Sequence, residues 1–399
     1  MKTLAQIGYG IGDKENDKVK QGLAENVIDG AIFCLHRKTP KEIEKLITNY
    51  QEDYPDAKFY IDPNFHVWNV VNEIGVNIAK LEKTSYFQNY RRSELENPAV
   101  INQILSNFYS DVRDVPTSNI IAPNIHIPRS FNSIEAVISK NFIRRAQSEF
   151  PDWFGDQKLF VSLSVGSEAL EDTREFQEFL VDITALENPP AGFYLIVGHS
   201  NTRDDLYKQS VVSNLLSLNM SLKMSGFEVI NGYTDYLGPL LACTRSDASA
   251  VGWFAKSRAF SLDNFMKGDG QPRNRASSRY FSNHLFNRVK ASELPVIHAS
   301  AAHIYNGLSL DAEYVPEPEN SREVLQLWQA LKELASIFTT EEDGEMDMLE
   351  EFKKYITRVQ ANYKHIYDNN VVLDVSSRGG HLPGIYAGID QFLNEFTAI

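Results

Sequence analysis

Eight short apolar runs, each closing on polar or charged residues, constrain this chain more than any other feature. They cover residues 3–9, 30–36, 58–65, 119–127, 158–165, 192–199, 227–234 and 248–254. Amphipathic, helix-like stretches separate most of them, an alternation that marks βα units around a parallel sheet. Gly30-Ala31-Ile32-Phe33-Cys34-Leu35 is apolar almost throughout, as a strand buried on both faces should be. Thr39 and Pro40 then open a helix, the threonine as its cap and the proline at the first helical position. Pro63 stops the third run, because proline cannot donate to a strand ladder.

Eight such units predict an α/β fold, a (β/α)8 TIM-like barrel, with an open doubly wound sheet as the alternative. Residues 1–312 would form the barrel, including a helical insertion over 67–117 after strand 3 and a basic segment over 256–290. The insertion is rich in aromatics (Trp68, Tyr86, Phe87, Tyr90, Phe108, Tyr109) and should lie over the barrel mouth or along its side. Residues 313–399 would be a C-terminal helical extension. Val324, Trp328, Leu331, Ala335 and Phe338 recur there at helical spacing, followed by Leu349, Phe352, Ile356, Val359, Tyr363 and Ile366. Those faces should pack on the barrel or dock a protein partner.

In a closed barrel the carboxyl ends of the strands build the active site. The residues at those ends therefore form the functional shortlist. Asp62 closes strand 3 and Asp235 follows strand 7, and the two could face each other across the mouth as base or nucleophile and partner. Each has a structural counterpart: Asp62 could bond backbone N–H groups before a proline turn, and Asp235 could cap a helix. His36, His126 and His199, together with His66, stand at other strand ends and could shuttle protons near neutral pH.

Charge sharpens the substrate class. The net charge of −14 disfavours duplex nucleic acid and anionic membranes. Residues 256–290 are the exception, with eight cations against Asp263 and Asp269, or +6. Lys256, Arg258, Arg275 and Arg279 could therefore hold an anion, with Asn64, Asn124, Asn231 and Tyr233 as further substrate contacts.

Other chemistries lack their motifs. Gly8, Gly10 and Gly12 miss the dinucleotide spacing, and no G-x-S-x-G surrounds Ser164, Ser167 or Ser200. No H-x-H pair or H-E-x-x-H helix occurs, so the cofactor is unknown and a divalent metal is supported by no motif. Cys34 and Cys243 read as buried free thiols in a reducing compartment. With no signal-peptide pattern and no spanning run, the expected location is cytoplasmic. The expectation is a barrel enzyme performing acid–base-assisted hydrolysis or group transfer on an anionic, phosphate-bearing small molecule or nucleotide. The other readings are a non-catalytic recognition or scaffold subunit and a single-stranded nucleic-acid binder.

Overall fold

The computed structural model describes residues 1–8, 17–73, 75–266, 277–301, 303–311, 322–339 and 344–396. Each apolar run becomes a strand: β1 Lys2–Ile7, β2 Gly30–Cys34, β3 Lys58–Asp62, β4 Ile120–Ala122, β5 Leu159–Gly166, β6 Gly192–Gly198, β7 Glu228–Gly232 and β8 Ala248–Val251. The hydrogen-bonded order is β3-β2-β1-β8-β7-β6-β5-β4, and every neighbouring pair is parallel. A two-residue continuation of the fourth run, His126–Ile127, also pairs with β5.

The ring closes between β3 and β4 through Ser118. Its N–H donates to Phe59 O at 2.8 Å, and its Oγ accepts from Phe59 N at 3.0 Å. The sheet is thus a nearly closed (β/α)8 barrel, and the open doubly wound alternative falls away. β2 and β5 are buried along their whole length, because helices cover one face and the barrel interior fills the other.

The connections supply the helices: α1 Lys18–Ala24, α2 Pro40–Asp53, α3 Pro98–Val112, α4 Ile134–Ala146, α5 Thr173–Thr184, α6 Gln209–Met224 and a short α7 Gly238–Ala242. Local chemistry fixes their starts. Thr39 and Glu42 form a capping box around Pro40 on α2, and Asn97, Ser133 and Asp172 cap α3, α4 and α5. The insertion after β3 runs through short 3-10 turns at Phe65–Val70 and Ala79–Lys83 before α3, which packs beside α4.

Beyond β8 the chain forms an antiparallel hairpin, β9 Arg279–Ser282 and β10 Asn287–Lys290. Helix α8, Arg322–Ile337, then packs against α1, α7 and β1, and its Trp328 Nε1 donates to Val251 O at 3.0 Å. It occupies the place of the barrel's eighth helix. The last two helices are α9 Glu345–Asp368 and α10 Leu382–Phe396. Their apolar faces, including Phe352, Ile356, Val359, Ile385, Ile389 and Phe392, are buried within this chain. Helix α10 lies on α6, and the contact is close: a Cβ on Gly384 would sit 1.9 Å from Tyr207 O. Glycine is the residue that fits there. Among the described residues no helix is long and apolar enough to cross a membrane.

Candidate active site

The barrel interior holds a sealed polar cluster around Asp62. Its side chain hangs from the end of β3 and is fully buried. One oxygen accepts from Asn64 N at 2.8 Å, and the other from the hydroxyls of Tyr233 at 3.0 Å and Tyr194 at 3.4 Å. Tyr194 also donates to Gln6 Oε1 at 3.1 Å, and Cys34 Sγ lies 3.3 Å from Tyr233 Oη. Strands β1, β2, β3 and β6 and the residue after β7 are thereby tied together across the barrel. Burial pushes the Asp62 carboxyl up to about 6, although the Asn64 N–H and the tyrosine hydroxyls favour its charged form. Burial likewise pushes the Cys34 thiol up to about 12. Asn64 and Tyr233 reach this cluster with φ of 52° and 54°, the left-handed region that side chains rarely occupy.

Asp235 belongs to a different cluster, so the expected pairing of two carboxylates across one mouth is not formed. Asp235 is also fully buried and also has a positive φ, 47°. It accepts from Tyr207 Oη at 2.7 Å and pairs with Arg203 Nε at 3.1 Å and Arg258 Nε at 3.6 Å. Burial opposes its ionisation, but the charges of Arg203 and Arg258 and the Tyr207 hydroxyl outweigh burial and hold the carboxyl below its ordinary value. Arg258 also donates to Trp253 O at 2.8 Å.

Much of the basic segment is neutralised in the same way. Arg279 donates to Arg288 O and Ser376 Oγ, Arg288 pairs with Glu323, and Lys290 pairs with Asp374 at 2.5 Å. These contacts fasten the β9–β10 hairpin to α8 and to the segment before α10. Arg275 lies outside the described residues. Asn124 is spent on Ser139 Oγ at 2.9 Å, and Asn231 donates to Asn219 Oδ1 at 2.8 Å. Asn231 also lines a small apolar pocket with Leu195, Leu215 and Tyr233, and its Oδ1 has no hydrogen-bond partner.

The open space lies elsewhere on the same rim. A cleft of about 380 Å³ opens at the carboxyl ends of β4 and β6, beneath the insertion after β3 and the loop after β8. His126 and His199 line it, with Trp68 and Asn69 from the insertion, Arg92, Arg129 and Glu135, and Asp263 from the loop after β8. Asn69 clamps the His126 backbone through both its side-chain atoms, at 2.8 and 3.0 Å. His126 Nδ1 meets Ser164 Oγ at 2.8 Å, which leaves Nε2 as the atom able to meet a ligand. His199 follows Gly198 at the end of β6, and its N–H donates to Phe260 O at 3.0 Å. Its Nδ1 is enclosed and has no hydrogen-bond partner. Burial holds both imidazoles in the neutral form, with His126 lowered to about 3 and His199 also lowered, while the charges of Asp205 and Asp263 favour the protonated state of His199.

Phe260 divides this rim. Its ring lies 4.6 Å from His66, 5.7 Å from His126 and 5.5 Å from Tyr233, a plug of aromatic contacts at the centre of the mouth. His66 is buried behind it with Nε2 unpartnered. His36 lies on the far side, its Nε2 2.6 Å from Asn77 O and its ring edge-on to Phe265. Burial lowers His36 to about 4. A small pocket of about 30 Å³ opens beside it, lined by Gly8, Arg37, Asn64 and Lys256 among others.

Two of the five shortlisted acid–base residues, His126 and His199, therefore meet in one cleft, while Asp62, Asp235 and His36 stand outside it. Sequence reasoning missed Trp68, Asn69, Arg92, Arg129, Glu135 and Asp263. Glu135 sits in the first turn of α4, where the helix dipole favours an acid whatever its role, so nothing marked it. Among the described residues no group of three or more His, Cys, Asp or Glu could hold a metal ion.

Fold and site define the chain as a (β/α)8 barrel with a polar cleft on its carboxyl-end rim. No family model matches the chain, and no curated protein matches it. Among solved structures it is similar to the crystal structure of a glycosyl hydrolase, a GH3 family member from Mycobacterium smegmatis str. MC2 155. The two align with a TM-score of 0.40 and 12% identity, over 66% of this chain and 86% of that one. A likeness that distant carries no argument about chemistry.

Proposed function

We propose that the chain is a barrel enzyme performing acid–base-assisted hydrolysis or group transfer on a small polar molecule held in the His126–His199 cleft. The observation that supports it is the pair of neutral imidazoles, His126 and His199, lining one open cleft. Burial favours the neutral His199 imidazole, the state a general base needs, and the charges of Asp205 and Asp263 stabilise the cation formed once it takes a proton. His126, oriented by Ser164 and Asn69, is the second proton-transfer group. Asp62 and Asp235 organise the barrel in this reading.

Among the described residues the cations a phosphate-bearing substrate would meet in this cleft are Arg92 and Arg129, already paired with Glu135 at 2.7 Å and Glu168 at 3.4 Å. The lining also carries Glu73 and Asp263, so the cleft itself suits a neutral polar group. The sealed barrel centre is the one observation on the side of a non-catalytic recognition subunit.

Turnover of a panel of chromogenic glycosides, esters and phosphate esters separates the two. His199→Asn should lower kcat/KM on any substrate turned over by about 10²- to 10⁴-fold. No turnover by the wild type, or turnover indifferent to His199→Asn, overturns the enzyme reading.

A further inference from the structure

The two openings on either side of Phe260 differ in charge. The wide cleft holds two arginines, both paired, among three carboxylates. The small pocket is lined by Gly8, Cys34, His36, Arg37, Asn64, Tyr233, Lys256, Phe260, Asn264 and Phe265. Among the described residues that lining contains two cations and no carboxylate. Lys256 is half-buried, and its Nζ spends one donor on Asn264 O at 3.0 Å; an ammonium carries three. Asn64 Oδ1 is fixed by the His36 N–H at 3.0 Å. The other end of that amide, Nδ2, is enclosed and reaches no acceptor in hydrogen-bond geometry, although the side chain lies near enough to Asp62 and Cys34 to favour their charged forms.

From this placement we propose that the pocket at the ends of β1, β2, β3 and β8 is an oxyanion subsite, taking a phosphate or carboxylate group of a small-molecule ligand. The ammonium of Lys256 and the guanidinium of Arg37 supply the charge, and Asn64 Nδ2 supplies a neutral donor that otherwise stays unpaired. The volume of about 30 Å³ is that of roughly two water molecules, enough for the oxygens of a carboxylate or the inward oxygens of a phosphate. Guanidinium and ammonium groups suit these oxyanions because charge-assisted hydrogen bonds are roughly twice as strong as neutral ones. The subsite stands on its own lining and does not rest on the chemistry assigned to His199. It places the anionic end of a ligand apart from the carboxylate-rich cleft.

The test titrates inorganic phosphate and, separately, acetate into the full chain at constant ionic strength. The melting temperature and the His36 imidazole NMR signals are followed. A ligand that binds only the folded state raises the melting temperature saturably. The expected result is saturable stabilisation by at least one of the two anions, with movement of the His36 signals. Lys256→Met and Arg37→Met should each weaken it tenfold or more, while Arg92→Met and His199→Asn leave it unchanged. Stabilisation by phosphate alone assigns a phosphate-bearing ligand; stabilisation by acetate alone assigns a carboxylate. No saturable response to either anion overturns the subsite. So does a response that Arg92→Met abolishes and Lys256→Met does not. Should either Met variant fail to fold, the wild-type His36 signals still decide: unmoved signals overturn the proposal. A His199→Asn variant that loses turnover but keeps anion binding separates this site from the catalytic reading.

Discussion

Replacing Asp62 with asparagine should make the protein more stable at pH 8 and leave it nearly unchanged at pH 4. The carboxyl is fully buried, and burial raises it from an ordinary 3.8 to about 6. The folded state therefore binds this proton more tightly than the unfolded chain does. Its contribution is most favourable below the unfolded value and is lost as pH rises through the folded one. At about 1.36 kcal/mol per pH unit, the interval amounts to roughly 3 kcal/mol. Asparagine carries no charge at any pH, and the Tyr194 and Tyr233 hydroxyls can still bond its oxygen. Its NH2 group then replaces the oxygen that accepts from the Asn64 N–H and needs acceptors of its own, which takes back part of the gain, so the expected advantage at pH 8 is about 1–2 kcal/mol. Urea unfolding of both proteins at pH 4 and pH 8, followed by tryptophan fluorescence, measures the difference, and comparing the two proteins cancels the other titrating groups. A difference that is the same at both pH values refutes the reasoning, as does an Asp62→Asn variant less stable than wild type at pH 8.

Two further outcomes test the rest of the framework. Asp235→Ala leaves Arg203 and Arg258 facing each other without their shared carboxylate, and breaking a buried pair in this way should cost about 3–5 kcal/mol in the same unfolding assay. Gly384→Ala drives a Cβ into the Tyr207 carbonyl, a backbone atom that cannot turn aside. It should cost about 1–3 kcal/mol and loosen α10 from α6, read as faster release of a C-terminal fragment in limited proteolysis.

The barrel was legible because its code is local. A doubly buried parallel strand must be apolar for four or more residues whatever lies around it, and β2 and β5 announce themselves in that way. The helix starts at Thr39-Pro40 and Asn97-Pro98 are written within a few residues as well. Of the strand-end shortlist, Asp62 closes β3 and His126 opens the two-residue continuation of the fourth run. What each position does depends on partners far away in the chain. Tyr194 reaches Asp62 across 132 residues and Tyr233 across 171, turning a predicted mouth carboxylate into an interior strut.

The basic segment shows the same division. Counting charges over 256–290 gives an anion-binding patch, but Arg258 meets Asp235, Arg288 meets Glu323 and Lys290 meets Asp374. Lys256, by contrast, lines the small pocket beside His36. The cleft was illegible for a related reason: Trp68, Arg92, Glu135 and Asp263 come from three separate connections, and no spacing in the chain records their meeting. The sequence by itself determined the eight-fold alternation, the strand ends and the buried faces, because hydrophobic periodicity is set by neighbours along the chain. The tertiary structure decided which ionisable groups are spent on one another and which face open space, because electrostatic interaction depends on distance through space and on burial, and neither is encoded in sequence separation.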